Sequence, residues 1–171
     1  HKTPNLLNKS IYSISEFIRN DISKFRIIAN PGCYSTSIQI PLVPLIKKKL
    51  IKNNITIDSK SGFSGAGKNL EKKFTHKNLY SSIYAYGIKN HRHTAEIEQE
   101  FNKISKHKVS FTFNPHLLPT FRGILSSIYV ELKKNSSADK LKNELVNFYQ
   151  KHEFIKILSN NTQLGSGNVL N

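Results

Sequence analysis

Between residues 25 and 50 the chain changes its hydrophobic period once, at a turn that permits nothing else. Residues 25–29 (FRIIA) are a short apolar run of the kind that forms a buried strand. Asn30-Pro31-Gly32 follows, and Pro next to Gly ends a strand and prevents a helix from starting earlier. From Cys33 onward the apolar residues Ile38, Leu42, Leu45, Ile46 and Leu50 recur at helical spacing. The reading is strand, tight turn, helix, with a cysteine as the first helical residue. Pro41 and Pro44 fall inside that helix and predict a kink.

The remaining elements follow from the same periods. Residues 16–24 (EFIRNDISK) allow a short helix ahead of the first strand. Residues 55–60 (ITIDSK) predict another strand, running into the Gly-rich stretch SGFSGAG at 61–67. Residues 80–86 (YSSIYAY) and 109–113 (VSFTF) alternate as strands do. Between them residues 94–104 read as a helix, with Thr94 placed to cap it and Ile97, Phe101 and Ile104 on one face. Residues 123–132 (GILSSIYVEL) are the strongest strand. Residues 137–151 form an amphipathic helix through Leu141, Leu145 and Phe148, and residues 154–158 (FIKIL) a last strand. From Ser159 the tail is polar and contains Gly, and no repeat or low-complexity tract interrupts the pattern. This order predicts an α+β fold, a mixed sheet with helices packed on one face.

Composition bounds the function. The 171 residues carry 26 Lys and Arg against 11 Asp and Glu, a formal charge of +15. Of those cations 22 are Lys, and the chain also holds 18 Asn and 20 Ile, the joint excess that A+T-rich codons produce by drift. A nucleic-acid surface leans more on Arg and clustered aromatics, so the charge is read as compositional and no nucleic-acid partner is expected. No apolar run approaches the roughly 18 residues of a membrane span, so no membrane partner is expected either. One cysteine excludes an intrachain disulfide and a Cys-cluster zinc site, and no metal is expected. No signal segment opens the chain, and a cytoplasmic location is the expectation. The absence of Met and the start at His1 predict a piece of a longer protein.

Four clusters can carry chemistry. Cys33 opens a helix after a strand, where backbone N–H groups and the helix dipole favour a negative sulfur and hence a nucleophile. The bland alternative is a small buried residue at a strand–helix junction. His91-Arg92-His93 precedes a helix and combines candidate acid/bases with an anion clamp, although alone it reads as a solvated basic loop. His76, His107, His116 and His152 are scattered and read as surface or packing residues. The stretch from Gly62 to Lys68 nearly matches a P-loop, but Asn69 stands where a hydroxyl must hold magnesium. What survives is a run of small residues that lets an anion or flat cofactor approach the backbone. Arg122, in NPHLLPTFRGI, is one of four Arg in a Lys-dominated chain, which suggests that a planar fork is needed there.

Taken in order, NPGCYST, SGFSGAGK, YGIKNHRHTAEI and NPHLLPTFRGI resemble the N-acetyl-gamma-glutamyl-phosphate reductase family over about residues 25–170. That family resembles aspartate-semialdehyde dehydrogenase and the phosphorylating glyceraldehyde-phosphate dehydrogenases. The resemblance implies a fold like the C-terminal domain of glyceraldehyde-3-phosphate dehydrogenase. It implies NADPH-dependent reductive dephosphorylation of N-acetylglutamyl 5-phosphate to the semialdehyde, a step of arginine biosynthesis, through a cysteine thioester. A reductase of a homologous aminoadipyl or aspartyl phosphate is the alternative, with a P-loop-like domain behind it.

The matching positions take roles from the family. Cys33 corresponds to the nucleophile, and His93, with His91 second, to the acid/base. Arg92, Arg122 and Asn30 would hold the substrate, and Ser61, Gly62, Ser64, Gly65, Ala66, Gly67 and Lys68 would lie against NADPH. A homodimer or tetramer is implied. Residues 1–30 would end an otherwise absent NADP-binding Rossmann domain, and residues 31–171 would be a catalytic and dimerisation domain truncated at its C-terminus. The chain alone is therefore expected to bind NADPH poorly and to be inactive. Two family prolines are replaced, by Ser35 after Cys-Tyr and by Ala95 in the histidine motif. Both prolines would be rigidifiers and not chemical groups.

Overall fold

The computed structural model describes residues 3–18, 21–69 and 81–169, with the backbone alone at 67–69 and 169. The chain divides into two units, His1–Gly32 and Cys33–Asn171. In the first, β1 (Ser10–Tyr12) and β2 (Ile27–Ala29) pair in parallel, with Ile11 opposite Ile28. The segment 16–24 is not one helix. A four-residue α1 covers Ser15–Ile18 and a 3₁₀ turn covers Ile22–Lys24, while residues 19 and 20 lie outside the described residues. Nor is the strand at 25–29 buried: Ile27 is 44% exposed and Ile28 42%. Two short strands, with no third paired to them among the described residues, cannot cover their own apolar side chains.

The second unit is built on a four-stranded mixed sheet in the order β4–β5–β3–β6. β3 (Ile51–Gly62) runs parallel to β5 (Ser110–Leu118) and antiparallel to β6 (Ile124–Leu132). Of the strand expected at 80–86 only β4 (Tyr84–Ala85) forms, and Tyr80 lies outside the described residues. The strand expected at 154–158 does not form, and Phe154 stands 88% exposed in irregular chain. Its apolar run suits a strand, but an apolar run supplies no hydrogen-bonding neighbour.

Side-chain alternation gives the sheet two unlike faces. Ile55, Ile57, Phe113, Ile128 and Val130 join a core shared with α2 (Cys33–Lys47), α3 (His93–Ile104) and α4 (Ala138–Tyr149). Ile38, Leu42, Ile97 and Phe101 fill it from the helix side and are almost wholly buried. The opposite face carries Asp58, Lys60, Leu125 and Tyr129, the last 63% exposed. This is the α+β mixed sheet with helices on one face that the sequence predicts.

Two details of the helices position the site. Pro44 has no N–H to give the carbonyl of Ile40, one turn earlier in α2. The Tyr149 hydroxyl donates to that carbonyl instead, at 2.6 Å, and ties the end of α4 to the middle of α2. At the start of α3 the expected Thr94 cap is displaced. The helix begins at His93, its N-cap Arg92 makes no side-chain cap bond, and the His93 N–H donates to Nδ1 of His91 at 3.2 Å. A ring nitrogen two residues back thus takes the place of a hydroxyl. No helix among the described residues is long and apolar enough to cross a membrane.

Candidate active site

Cys33 is the first residue of α2 and is exposed. The leading N–H groups of a helix have no intrahelical acceptor, so an anion held beside this residue meets donors. Cys33 opens onto a cleft whose other walls are Ser61 at the end of β3, Gly65 and Ala66 beyond it, Tyr86 and Gly87 after β4, and the run Asn90–His91–Arg92–His93 into α3. Strand, crossover and helix thus bring together residues as far apart in sequence as Cys33 and Leu117, all at one end of the sheet.

The cleft floor is aromatic. Tyr34, 1% exposed, donates its hydroxyl to the His116 carbonyl at 2.9 Å, and Tyr86 donates to the Tyr34 hydroxyl at 3.3 Å. Burial pushes both phenols above their usual range, so both stay neutral donors. His91 is held edge-on by four rings: Tyr34 at 5.5 Å, Tyr86 at 5.5 Å, Phe113 at 5.4 Å and His93 at 4.8 Å between centroids. Gly87, at φ +60°, completes the seat. A Cβ there would strain the backbone and stand 3.0 Å from Cδ2 of His91.

Both histidines are neutral near pH 7. Burial, then the neighbouring His93 and Arg92, pushes His91 down to about 4, against a smaller opposing pull from Glu96. Burial also lowers His93, with Glu96 opposing and Arg92 assisting. Because Nδ1 of His91 accepts the His93 N–H, the proton of the neutral His91 ring is on Nε2. Nδ1 of His93 is buried without a hydrogen-bond partner among the described residues, and its Nε2 lies 3.9 Å from Glu96.

Of the residues singled out from sequence, Cys33, His91, Arg92, His93, Ser61, Gly65 and Ala66 line this cleft. Gly62, Ser64 and Arg122 are not among the lining residues. The N–H groups of Gly62, Phe63 and Ser64 donate to the carbonyls of Gly123, Thr120 and Phe121 at 2.9–3.0 Å. Those three N–H groups are therefore spent on holding the 120–123 loop and are not free for an anion. A Cβ on Gly62 would meet the backbone of Phe121 and Arg122 at 2.7 Å, so this glycine permits a close approach of two chains. Arg122 places its guanidinium 5.3 Å from the Phe121 ring centroid. Asn30 belongs to the first unit, where its amide donates to the Pro31 carbonyl. Gly67 and Lys68 are described by their backbone alone, and His76 lies outside the described residues.

Sequence reasoning missed Tyr34, Tyr86 and Gly87. Position was the available signal: Tyr34 follows the cysteine directly, and the Tyr86-Gly87 pair stands just before the histidine motif. It also missed His116 as a paired residue. Its Nδ1 lies 3.2 Å from both the Asn114 carbonyl and Asp58, on the sheet face away from the helices.

A family model described as semialdehyde dehydrogenase, dimerisation domain, matches residues 33–171, and the chain belongs to that family. The match begins at Cys33, where the second unit begins. Among curated relatives, the probable chloroplastic N-acetyl-gamma-glutamyl-phosphate reductase of Oryza sativa subsp. japonica is 45% identical over 160 residues, covering 93% of this chain and 39% of that protein. The N-acetyl-gamma-glutamyl-phosphate reductase of Clostridium kluyveri is 46% identical over 157 residues, covering 91% of this chain and 46% of that protein. The chain thus spans less than half the length of these relatives. In structure it is similar to aspartate semialdehyde dehydrogenase from Francisella tularensis, with a TM-score of 0.63 at 12% identity over 85% of this chain and 54% of that one. At that identity the likeness concerns the fold.

Proposed function

We propose that the complete protein reduces N-acetyl-L-glutamyl 5-phosphate to N-acetyl-L-glutamate 5-semialdehyde, a step of arginine biosynthesis, with Cys33 as nucleophile and NADPH as reductant. The carrying observation is one cleft that joins an exposed cysteine at a helix start to two neutral histidines and an arginine. The sulfur attacks the acyl carbon, the bond from that carbon to the phosphate oxygen breaks, and phosphate leaves with the electron pair. The Cys33 thioester remains. NADPH, when bound, would supply the hydride to the thioester carbon, and breaking of the C–S bond then releases the semialdehyde and returns the Cys33 sulfur.

The protein's own groups carry the rest. Arg92 and the leading N–H groups of α2 hold the departing phosphate and the substrate's negative oxygens. His91 offers Nε2–H to the oxygen that gains charge in each tetrahedral intermediate. His93, oriented by Glu96, serves as the proton acceptor. The wall at Ser61, Gly65 and Ala66 suits the flat nicotinamide, because nothing stands within 4 Å of where a Gly65 Cβ would project.

On this reading residues 1–30 end the cofactor domain and residues 31–171 form the catalytic and dimerisation domain. Two copies pair through the sheet face that carries Leu125 and Tyr129, where apolar surface is left open. The test is the reverse reaction of the complete reading frame, following NADPH absorbance with semialdehyde, NADP⁺ and phosphate. Phosphate-dependent NADPH formation, lost in Cys33→Ser, is expected. A folded wild type without turnover would overturn the substrate, and the aminoadipate and aspartate semialdehydes then become the substrates to assay. His91→Gln keeps a donor near the Nε2 position and should retain more activity than His91→Ala. Equal loss in both would make His91 the base.

A further inference from the structure

Some 22 Å from Cys33, at the far end of the 15-residue α2, the chain builds a second polar feature that the proposed chemistry does not use. The turn after α2 and the turn between β6 and α4 are joined by the Lys133 N–H, which donates to the Leu50 carbonyl at 3.1 Å. They enclose a depression whose nine lining residues include Lys48, Lys49, Lys52, Lys133, Lys134 and Lys140. With 22 Lys in 171 residues, drift in composition would put roughly one Lys among nine. Here six of the nine are Lys. Lys48 has Glu144 at 3.6 Å and Lys52 has Glu131 at 2.7 Å, and Asp139 stands in the first turn of α4. Among the described residues Lys49, Lys133, Lys134 and Lys140 have no ion pair, and the Lys140 ammonium donates to the Asn135 carbonyl. Like charges so placed repel one another unless an anion joins them.

Backbone geometry adds an independent sign. Lys49 sits at φ +56°, and the N–H groups of Lys49 and Leu50 donate to Ile46 and Leu45. This is the helix-ending motif in which glycine is the favoured residue. The chain holds a strained lysine where glycine would relax the turn, at the rim of the depression.

We propose that this depression binds a compact polyphosphate, either free or carried on a nucleotide. None of its lining residues is aromatic, so a base has nothing to stack on and phosphates alone set the affinity.

The test is calorimetric titration of the complete protein at about 0.15 M salt with three probes: sodium tripolyphosphate, magnesium-free ATP and a single-stranded RNA oligonucleotide. Saturable binding of tripolyphosphate is expected, with ATP no tighter if the phosphates alone are read. ATP clearly tighter than tripolyphosphate, and equally sensitive to the variants, would assign the site to nucleotide-borne phosphate. Lys49→Gly, and the double change Lys133→Gln with Lys134→Gln, should each weaken binding about tenfold. Lys106→Gln with Lys108→Gln, equal in net charge to the other double change, should leave it within about twofold. Lys49→Gly should also raise the melting temperature, which separates lost affinity from lost fold. Absence of saturable binding, an equal loss in the Lys106/Lys108 control, or RNA binding without tripolyphosphate binding would overturn the proposal.

Discussion

At the Cys33 end of α2 the groups that matter are tied down by burial. Tyr34 donates to a β5 carbonyl, Tyr86 donates to Tyr34, and four rings enclose His91. At the Lys49 end the lysines are exposed, and Lys49, Lys133 and Lys134 have no ion pair among the described residues. One helix therefore ends in a coupled assembly on one side and in independent charges on the other. Contacting residues in a shared network couple strongly, whereas separated surface charges act additively and are screened by salt. A single atom removed at the first end should matter more than a whole charge removed at the second.

The largest effect should come from Tyr34→Phe. It removes the donor to His116 and the acceptor of Tyr86 together, in a residue only 1% exposed. Denaturant unfolding should show a loss of about 1–3 kcal/mol, and kcat of the reverse reaction should fall about tenfold or more. Lys133→Gln, at the other end, should stay within about 0.5 kcal/mol of wild type. Equal losses at the two ends would break the comparison.

Acid should act on the first end through His91. His91 titrates at about 4 in the fold, below its ordinary value of 6.5. Between those values the unfolded chain binds more protons than the folded one, so unfolding free energy rises with pH. Stability should therefore fall from pH 6.5 toward pH 4, and the fall should be shallower in His91→Gln. Melting temperatures across that range check it. A slope unchanged by His91→Gln would mean that the ring box does not control this titration.

In the middle of α2, Tyr149→Phe should have a smaller effect than Tyr34→Phe, about 1 kcal/mol, because one hydrogen bond is lost. The Ile40 carbonyl, deprived of a partner by Pro44, then loses the hydroxyl that replaced it. At the exposed end the sign reverses. Lys49→Gly should stabilise by about 1 kcal/mol, measured by the same unfolding experiment in the absence of polyanion.

These contrasts also explain what could be read from the sequence. Cys33 and the His91–His93 motif were legible because their meaning is local: a helix start after a Pro-Gly turn, and three residues in a row. The hydroxyl chain from Tyr34 to Tyr86 was not, since it joins segments that meet only when β4, β5 and α2 assemble. Arg122 was singled out because Arg is rare here, yet rarity does not say where a guanidinium points, and it lies against Phe121. Thr94 is the better capping residue in isolation, but His91 stood where its ring could reach the His93 N–H first. The segment expected as a strand at 154–158 is an apolar run with no strand paired to it among the described residues. Periodicity describes a segment's own faces, and its partners come from the rest of the chain.

The smallest effect, and the sharpest test of how tightly the first end is built, lies at Ser35. This residue is wholly buried in the first turn of α2, and its hydroxyl has no hydrogen-bond partner among the described residues. The family that the sequence resembles usually has proline there. A first helical turn tolerates proline because its N–H groups lack intrahelical acceptors. Ser35→Ala should be neutral or slightly stabilising, since it removes only an unsatisfied polar atom. Ser35→Pro should add about 0.4–1 kcal/mol beyond alanine, because the ring removes conformations from the unfolded chain. The difference between the two variants isolates that entropy from the hydroxyl. Should Ser35→Pro destabilise while Ser35→Ala does not, the space beside Tyr34 is too tightly packed for the ring, and the Cys33 end of α2 is still more rigid than its hydrogen bonds imply.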